Sequence, residues 1–485
     1  MSIRVVLLSL VVLYFSIYAW KNWFVSLCAT ISLLAVVQHP DFPSGIGGIQ
    51  GLNLWNILLL NVVLAWHARP RPPGQVWDLP RTFARLLIAF FVVVIISALR
   101  LMIDPPVEFT RTFVFSEKIV NSIKWVIPGL LLFDACRTRE RITAALFVIL
   151  LLYFLLAVQV IRWMPLSSAV SGNLAGRASK ITQNEIGYNR VTLSMMLAGA
   201  CWAVVGTLPL VRRRWHKLAL LGVAGAVALA QALTGGRIGY AAWGMVGTTL
   251  GILRWRKFLF IVPVVAIVVG IAFPKVRERM FQGFGGEKGH MAVETSEYEM
   301  TSGRNLAWPR VLEKIGEAPL LGYGREAMTS TGIAAGLWEE LGESFPHPHQ
   351  AYFEVLLDNG AVGFFLMIPV FFYSLWQSAR LLLDRSDPLI CAVGCASFSL
   401  LLALMLGSLG GQTFYPREGA VGLWAAIGLM MRVSVERARA LRQQTPFLGQ
   451  TSAAPIGSVE RQMPPMWMHP PGLQEDERET VSGGK

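Results

Sequence analysis

The chain has 485 residues, of which 54% are hydrophobic and 15% are charged, and its mean hydropathy is +0.51. A water-soluble domain needs more charge to cover its surface, so this composition predicts an integral membrane protein. The net charge is +13, an excess that a polytopic membrane protein usually carries in its cytoplasmic loops. The sequence has neither zinc-ligand spacing nor a basic face with interleaved aromatic residues, which argues against a nucleic-acid-binding protein.

Apolar stretches long enough to span about 30 Å of hydrocarbon recur along the chain. They predict an all-α membrane fold with about 12 transmembrane helices. The candidate spans are 5–20, 22–37, 50–66, 82–102, 118–134, 141–162, 187–210, 215–234, 237–253, 258–273, 360–382, 389–409 and 418–432. The first two are divided only by Lys21 and Asn22, and they form either a tight hairpin or one broken helix.

The distribution of Lys and Arg predicts the orientation of the chain. If the spans from residue 50 onward all cross, six basic loops fall on one side, which the positive-inside rule assigns to the cytoplasm. We therefore expect a cytoplasmic C-terminus in the inner membrane of a bacterium. The loops expected on the periplasmic side are 38–49, 103–117, 163–186, the short "TGGR", 274–359 and 410–417.

Residues 1–442 thus form a membrane domain, and its one sizeable extramembrane piece is the loop 274–359. Within this loop, "SGRNLAWPRVLEKIGEAPLLGYG" has Leu306, Val311, Leu312 and Ile315 at roughly helical spacing, which predicts an amphipathic surface helix. Ser302 can cap its start and Pro319 can end it. Residues 443–485 are rich in Pro, Gly, Ser and charge, so we expect a disordered cytoplasmic tail.

Two arginines are placed unusually on the expected periplasmic side. Arg237 follows two glycines where one span ends and the next begins, on the side that the positive-inside pattern disfavours. Arg304 opens the amphipathic helix, the end at which the helix dipole disfavours a cation. A snorkelling arginine and a plain surface arginine are the alternatives. Guanidinium groups bind phosphates through paired hydrogen bonds, so both positions also fit an anionic ligand.

A histidine pair precedes the next span, in "HPHQAYFEVLLDNGAVGF". Pro348 suits the first turn of a helix, which would place His349 in that turn with Phe353, Leu356 and Gly360 on its side. The helix dipole would then favour a neutral imidazole, the form that a general base requires. A capping or structural role for His349 is the alternative. A base beside a phosphate clamp at a lipid interface suggests transfer from a lipid-phosphate donor.

Three segments together resemble the O-antigen ligase and polymerase superfamily. "HQAYFEVLLDNGAVGF" is similar to its His-Asn signature, "SGRNLAWPRVLEKIGEAPLLGYG" to the segment upstream, and "LTGGRIGYAAWG" to its Ser-Arg-Gly motif. The resemblance covers residues 180–430, approximately, and "TQNEIGYNR" is similar to an asparagine-containing segment before them. Gln350 and Gly236 depart from the pattern, since the superfamily usually has Asn and Ser there.

The resemblance implies an all-helical GT-C-like glycosyltransferase that uses an undecaprenyl-diphosphate-linked glycan and needs no metal or other cofactor. A ligase passes the glycan to a lipid A-core sugar, and a polymerase passes it to another repeat unit. Arg237 and Arg304 would hold the diphosphate and His349 would take the proton of the acceptor hydroxyl. Further substrate-binding candidates are Asn184, Arg190 and Lys124.

The polymerase reaction, for O-antigen or exopolysaccharide, stays open as an alternative to the ligase reaction because both use the same donor chemistry. A lipid-glycan transporter or flippase is the alternative from another class. Transporters usually place ionisable groups near the bilayer midplane. In this sequence Lys124 lies inside a predicted span, near its outer end, and most other charges gather at span ends.

Overall fold

The computed structural model describes residues 3–43, 45–46, 49–70, 76–281, 304–342, 345–411 and 413–444. Helices dominate, and the described strands are one antiparallel pair, Gly45–Ile46 and Ile49–Gln50. The helices of at least eight residues are Ile3–Ala19, Trp23–Val37, Leu54–Ala68, Arg81–Ile103, Ile127–Ala135, Arg139–Trp163, Leu174–Ile181, Arg190–Val205, Arg214–Leu233, Arg237–Leu253, Phe258–Ala272, Pro274–Phe281, Arg304–Glu317, Ile333–Leu341, Ala351–Met367, Pro369–Leu382, Pro388–Gly407 and Val421–Gln444.

The predicted all-α membrane fold is confirmed, and each predicted span contains a helix. Within the described residues, 7 helices are long and apolar enough to cross a membrane, or 8 if the pair bent by 119° after Ala272 is one span. Ile3–Ala19, Trp23–Val37 and Leu54–Ala68 are shorter apolar helices. The first two form the tight hairpin, since the Ser26 hydroxyl donates to the Phe15 carbonyl at 2.7 Å.

One predicted span is interrupted, and another starts where a longer helix kinks. The span expected at 118–134 begins with a π-helical turn, Phe115–Val120, and continues through Asn121–Lys124 to Ile127–Ala135. In the helix from Ala351, Gly360 has a φ of 61°, which only glycine adopts readily, and the chain kinks there. A Cβ at this position would lie 2.3 Å from the Leu320 carbonyl carbon, so the glycine lets the loop backbone approach the helix.

The predicted loop helix is present as Arg304–Glu317, with Pro309 inside it, and it ends before Pro319 as expected. Its proposed cap, Ser302, lies outside the described residues. Val311 is fully buried, whereas Leu306 and Leu312 are exposed. The buried face joins a second, smaller apolar core with members from the rest of the loop and from the following helix: Ala307, Val311, Ala327, Met328, Ile333, Leu337, Phe345 and Leu357.

The contacts between loops agree with the predicted division of the loops into a periplasmic group and a cytoplasmic group. The segments expected on the periplasmic side meet one another, since Arg304 donates to the Gly410 carbonyl at 2.8 Å. Lys118, at the outer end of the predicted span 118–134, pairs with Glu326 of the long loop. The basic segments expected in the cytoplasm also meet, as in the pair of Arg139 with Asp387. The predicted tail contributes its first residues to the last helix, and residues 445–485 lie outside the described part of the chain.

A buried ion pair joins two distant segments at the end of the molecule that carries the basic loops. The Arg432 guanidinium is 0% exposed and donates to both carboxylate oxygens of Asp78, at 2.6 and 2.9 Å. Its Nε donates to the Phe133 carbonyl at 2.7 Å, and Glu436 lies at 3.0 Å. This network joins the segment before the fourth helix to the last helix.

We expect Asp78→Asn to destabilise the protein, because removing one partner of a buried pair leaves the charge of Arg432 poorly compensated. The cost should be about 3 kcal/mol. Thermal unfolding in detergent micelles measures it, and Asp104→Asn is the matched control because Asp104 is exposed. Equal midpoints for the two variants would show that the pair contributes little.

Candidate active site

Three arginines lie together around the turn at Gly235, which precedes the helix Arg237–Leu253. Arg190 begins one helix and donates from Nη1 to the Gly235 carbonyl at 3.0 Å. The Nε of Arg279 donates to the same carbonyl at 3.4 Å. Gly235 has a φ of 66°, a left-handed turn that precedes the helix Arg237–Leu253. One backbone carbonyl therefore holds two guanidinium groups beside a third, that of Arg237.

Arg304 joins this group from the loop helix. Its Nη2 donates to the Gly410 carbonyl at 2.8 Å. Gly410 in turn packs closely on Ile238, because a Cβ at residue 410 would lie 2.8 Å from that side chain. Arg237 exerts electrostatic repulsion on Arg190, Arg279 and Arg304. We call Arg190, Arg237, Arg279 and Arg304 the arginine cluster.

All four members of the arginine cluster are half-buried, and their like charges repel one another. Burial, and then the charge of Arg237, lowers the pKa of Arg304 from its usual value. Its Nε is buried and has no hydrogen-bond partner among the described residues. Arg190 and Arg304 also form no ion pair with a carboxylate in that part of the chain. Such a concentration of cations is best stabilised by a multiply charged anion.

His349 lies next to the arginine cluster, but its predicted helical position is wrong. The helix starts at Ala351, and the Gln350 side chain is its N-cap, accepting from the Phe353 amide at 2.6 Å. Pro348 and His349 precede the helix, and His349 has a φ of 53°. The expected stripe of His349 with Phe353 therefore does not form. Sequence reasoning relied on the proline as a helix start and did not consider a glutamine cap.

The position of His349 is set by its neighbours in the loop. The Trp308 indole of the loop helix donates to the Pro348 carbonyl at 3.0 Å, and the Ala351 amide donates to the Ser408 carbonyl at 2.8 Å. The imidazole Nδ1 lies 3.7 Å from the place where a Cβ at Gly411 would stand. The Gly410–Gly411 backbone thus adjoins both Arg304 and His349.

The imidazole of His349 is neutral near pH 7. Burial lowers its pKa to about 3, and the nearby His347 and Arg304 contribute to this shift. The His347 ring centroid lies 4.5 Å from that of His349, and His347 Nδ1 is buried without a hydrogen-bond partner among the described residues. A left-handed backbone at a non-glycine residue is strained, and such strain is found often at functional sites.

The two departures from the superfamily pattern have local explanations. Gln350 accepts a hydrogen bond from the helix amide, the capping role that asparagine often fills. At Gly236, a Cβ would stand 2.6 Å from Cβ of Ser194, so a serine would collide with the neighbouring helix. Neither departure alters a charged group of the cluster.

The remaining sequence candidates lie elsewhere. Asn184 is exposed on the π-helical turn Thr182–Ile186, and no described hydrogen bond connects it to the arginine cluster. Lys124 lines a different cleft, with its Nζ 4.0 Å from the centroid of the Trp125 ring. Arg279 was missed by sequence reasoning, because "KVRER" resembles an ordinary polar stretch and Gly235 is distant in sequence. The described residues contain no group of three or more potential metal ligands.

Most of the candidate site falls within a segment that matches a known family. Residues 223–368 match a family described as O-antigen ligase. The matched segment contains Arg237, Arg279, Arg304 and His349, whereas Arg190 lies before it. No curated protein matches the chain. The resemblance noted in the sequence is therefore confirmed over the part that carries most of the candidate site.

Proposed function

We propose that this protein is a membrane glycosyltransferase. Residues 223–368 match the O-antigen ligase family, and this match supports membership of the O-antigen ligase and polymerase superfamily. It moves a glycan from a polyprenyl diphosphate, undecaprenyl diphosphate in bacteria, to a hydroxyl of a lipid A-core sugar. The reaction takes place on the periplasmic face of the inner membrane. The convergence of four arginines beside a neutral histidine carries this proposal.

The arginine cluster binds the diphosphate of the donor. Planar guanidinium groups form paired hydrogen bonds with phosphate oxygens, and partial burial strengthens these contacts. As the bond from the anomeric carbon to the diphosphate breaks, the electron pair moves onto the leaving oxygen. The guanidinium groups stabilise that charge, a role that a metal ion fills in other enzymes. We therefore expect transfer without an added metal.

His349 accepts the proton of the acceptor hydroxyl. The hydroxyl oxygen then forms the new bond to the anomeric carbon while the bond to the diphosphate breaks. Burial, His347 and Arg304 lower the pKa of His349 to about 3, so the ring by itself is a weak base. A bound diphosphate places negative charge nearby and favours the imidazolium, which strengthens the base once the donor is present.

Replacing Arg304 or Arg237 with lysine should reduce transfer by roughly one to two orders of magnitude, because lysine keeps the charge but loses the paired hydrogen bonds. The measurement is glycan transfer by purified enzyme, with lipid-linked donor and lipid A-core acceptor. Arg310→Lys is the control on the same helix, since Arg310 pairs with Glu340 outside the cluster. Near-normal transfer by both cluster variants would reduce these arginines to generic positive charges.

Replacing His349 with asparagine should reduce turnover by about 10²–10⁴, the usual effect of removing a general base. Asparagine tolerates the left-handed backbone, so the substitution removes the imidazole with little added strain. His347→Asn is the matched control and should keep a substantial fraction of activity. Binding of the donor should survive in both variants, because the arginines remain. An active His349→Asn beside an inactive His347→Asn would assign the base to His347.

A further inference from the structure

A second cationic cleft lies apart from the arginine cluster. It has a volume of about 1110 Å³ and is lined by residues of 37–63, 113–127 and 416–418, together with Arg325. Four cationic side chains line it, and the carboxylates on its wall are Glu117 and Glu418. The four cations are Lys118, Lys124, Arg325 and Arg417.

Three of these four cations have no ion pair within the described residues. Lys118 pairs with Glu326, whereas Lys124 contacts the Trp125 ring through its Nζ at 4.0 Å. Glu117 and Glu418 attract Lys124 only through longer-range electrostatics. Arg417 is exposed, and it interacts with the Glu326 carboxylate only through longer-range electrostatics. The wall of the cleft therefore carries an excess of positive charge.

Arg325 gives the most specific indication of a ligand. It is only 5% exposed, and its guanidinium lies 3.0 Å from the centroid of the Tyr415 ring. Its Nη1 has no hydrogen-bond partner among the described residues, although Asp358 and Glu354 attract it electrostatically. A buried donor without a partner is costly, and an acceptor oxygen in the cleft would satisfy it.

The other lining residues are apolar or aromatic. Leu52, Leu60 and Val120 line the cleft and are 39%, 57% and 44% exposed. Trp125 and Phe113 add flat ring surfaces beside the cations. A cationic region next to exposed apolar side chains is complementary to an amphiphile with an anionic headgroup.

One segment connects this cleft to the proposed active site. Gly410 accepts the hydrogen bond of Arg304, and Arg417 and Glu418 line the cleft seven and eight residues later. Tyr415, between them, packs on Arg325 and donates to Asp358 at 2.9 Å. A ligand in the cleft would thus contact the segment whose start accepts the hydrogen bond of Arg304.

We infer that this cleft binds the phosphate group of a lipid-anchored substrate while the arginine cluster performs the transfer. The inference rests on the proposed function, in which both substrates are lipid-linked. Because the arginine cluster holds the diphosphate of the donor, the ligand of the cleft is the lipid anchor of the acceptor. The shared chemistry is a phosphate on that anchor, which belongs to a phosphorylated glycolipid in a ligase reaction and to a second polyprenyl diphosphate in a polymerase reaction. Sugars near the phosphate would contact the aromatic side chains.

The test compares binding of defined lipids by the full-length protein in nanodiscs. The probes are lipid A carrying its phosphates, undecaprenyl diphosphate, and undecaprenol as the neutral control. The cleft variant combines Lys124→Gln with Arg417→Glu and leaves the buried Arg325 in place. Arg111→Glu is the matched control, because Arg111 is exposed on the same predicted side and does not line the cleft.

We expect the cleft variant to bind one phosphorylated lipid at least about tenfold more weakly, because two charge-assisted contacts are lost. The control variant should stay within about twofold of the parent for every probe. Weaker binding of lipid A assigns the cleft to a glycolipid acceptor, and weaker binding of undecaprenyl diphosphate assigns it to a polyprenyl-diphosphate-linked acceptor. Unchanged binding of both by the cleft variant, or no preference of the parent for phosphorylated lipids over undecaprenol, overturns the inference.

These outcomes are separable from those of the catalytic variants. If Arg304→Lys and His349→Asn lose transfer while the cleft variant binds both lipids normally, the proposed function stands and the cleft inference fails. If the cleft variant binds a phosphorylated lipid weakly while both catalytic variants transfer normally, the cleft is a lipid-phosphate site and the proposed mechanism fails.

Discussion

Repulsion among four half-buried guanidinium groups is the constraint on which the site depends. Backbone carbonyls hold these groups in place, since Gly235 accepts from Arg190 and Arg279, and Gly410 accepts from Arg304. A carbonyl orients a guanidinium without neutralising it, so Arg190 and Arg304, which form no ion pair within the described residues, keep a positive potential that a ligand can use. In the proposed reaction, a lipid diphosphate would relieve the repulsion when it binds and would gain further charge as it leaves, so the cluster would stabilise the transition state more than the ground state.

The rest of the architecture brings these carbonyls together. The left-handed turn at Gly235 and the Gly410–Gly411 segment come from distant parts of the chain, and helix packing makes them adjacent. The loop contributes Arg304 and, through Trp308, fixes the backbone before His349. At the opposite end, the buried pair of Arg432 with Asp78 ties the last helix to the segment before the fourth helix. The membrane domain thus supports a site assembled from turns and one loop.

Much of this fold was predictable from sequence, because apolar runs and the Lys/Arg distribution are strong local signals. The loop helix was accessible for the same reason, and so was the prediction that Arg237 and Arg304 bind one anionic ligand. The structure brings these two guanidinium groups near each other, and their role stays a prediction. The geometry at His349 was not, since a glutamine cap and a left-handed residue depend on tertiary contacts. The role of Arg279 was also hidden, because its partner carbonyl lies 44 residues away. The place of Lys124 in a separate cleft likewise depends on helix packing that no single span reveals.

The most direct measurement of the central claim is an electron cryomicroscopy structure of the protein in a nanodisc with undecaprenyl diphosphate bound. The account predicts both phosphates within hydrogen-bond distance of Arg237 and Arg304. The oxygen that would carry the anomeric carbon of the glycan should face the His349 imidazole. It also predicts that the lipid tail leaves the site toward the bilayer. Diphosphate density remote from the arginine cluster, with the four guanidinium groups unchanged and unliganded, would contradict it.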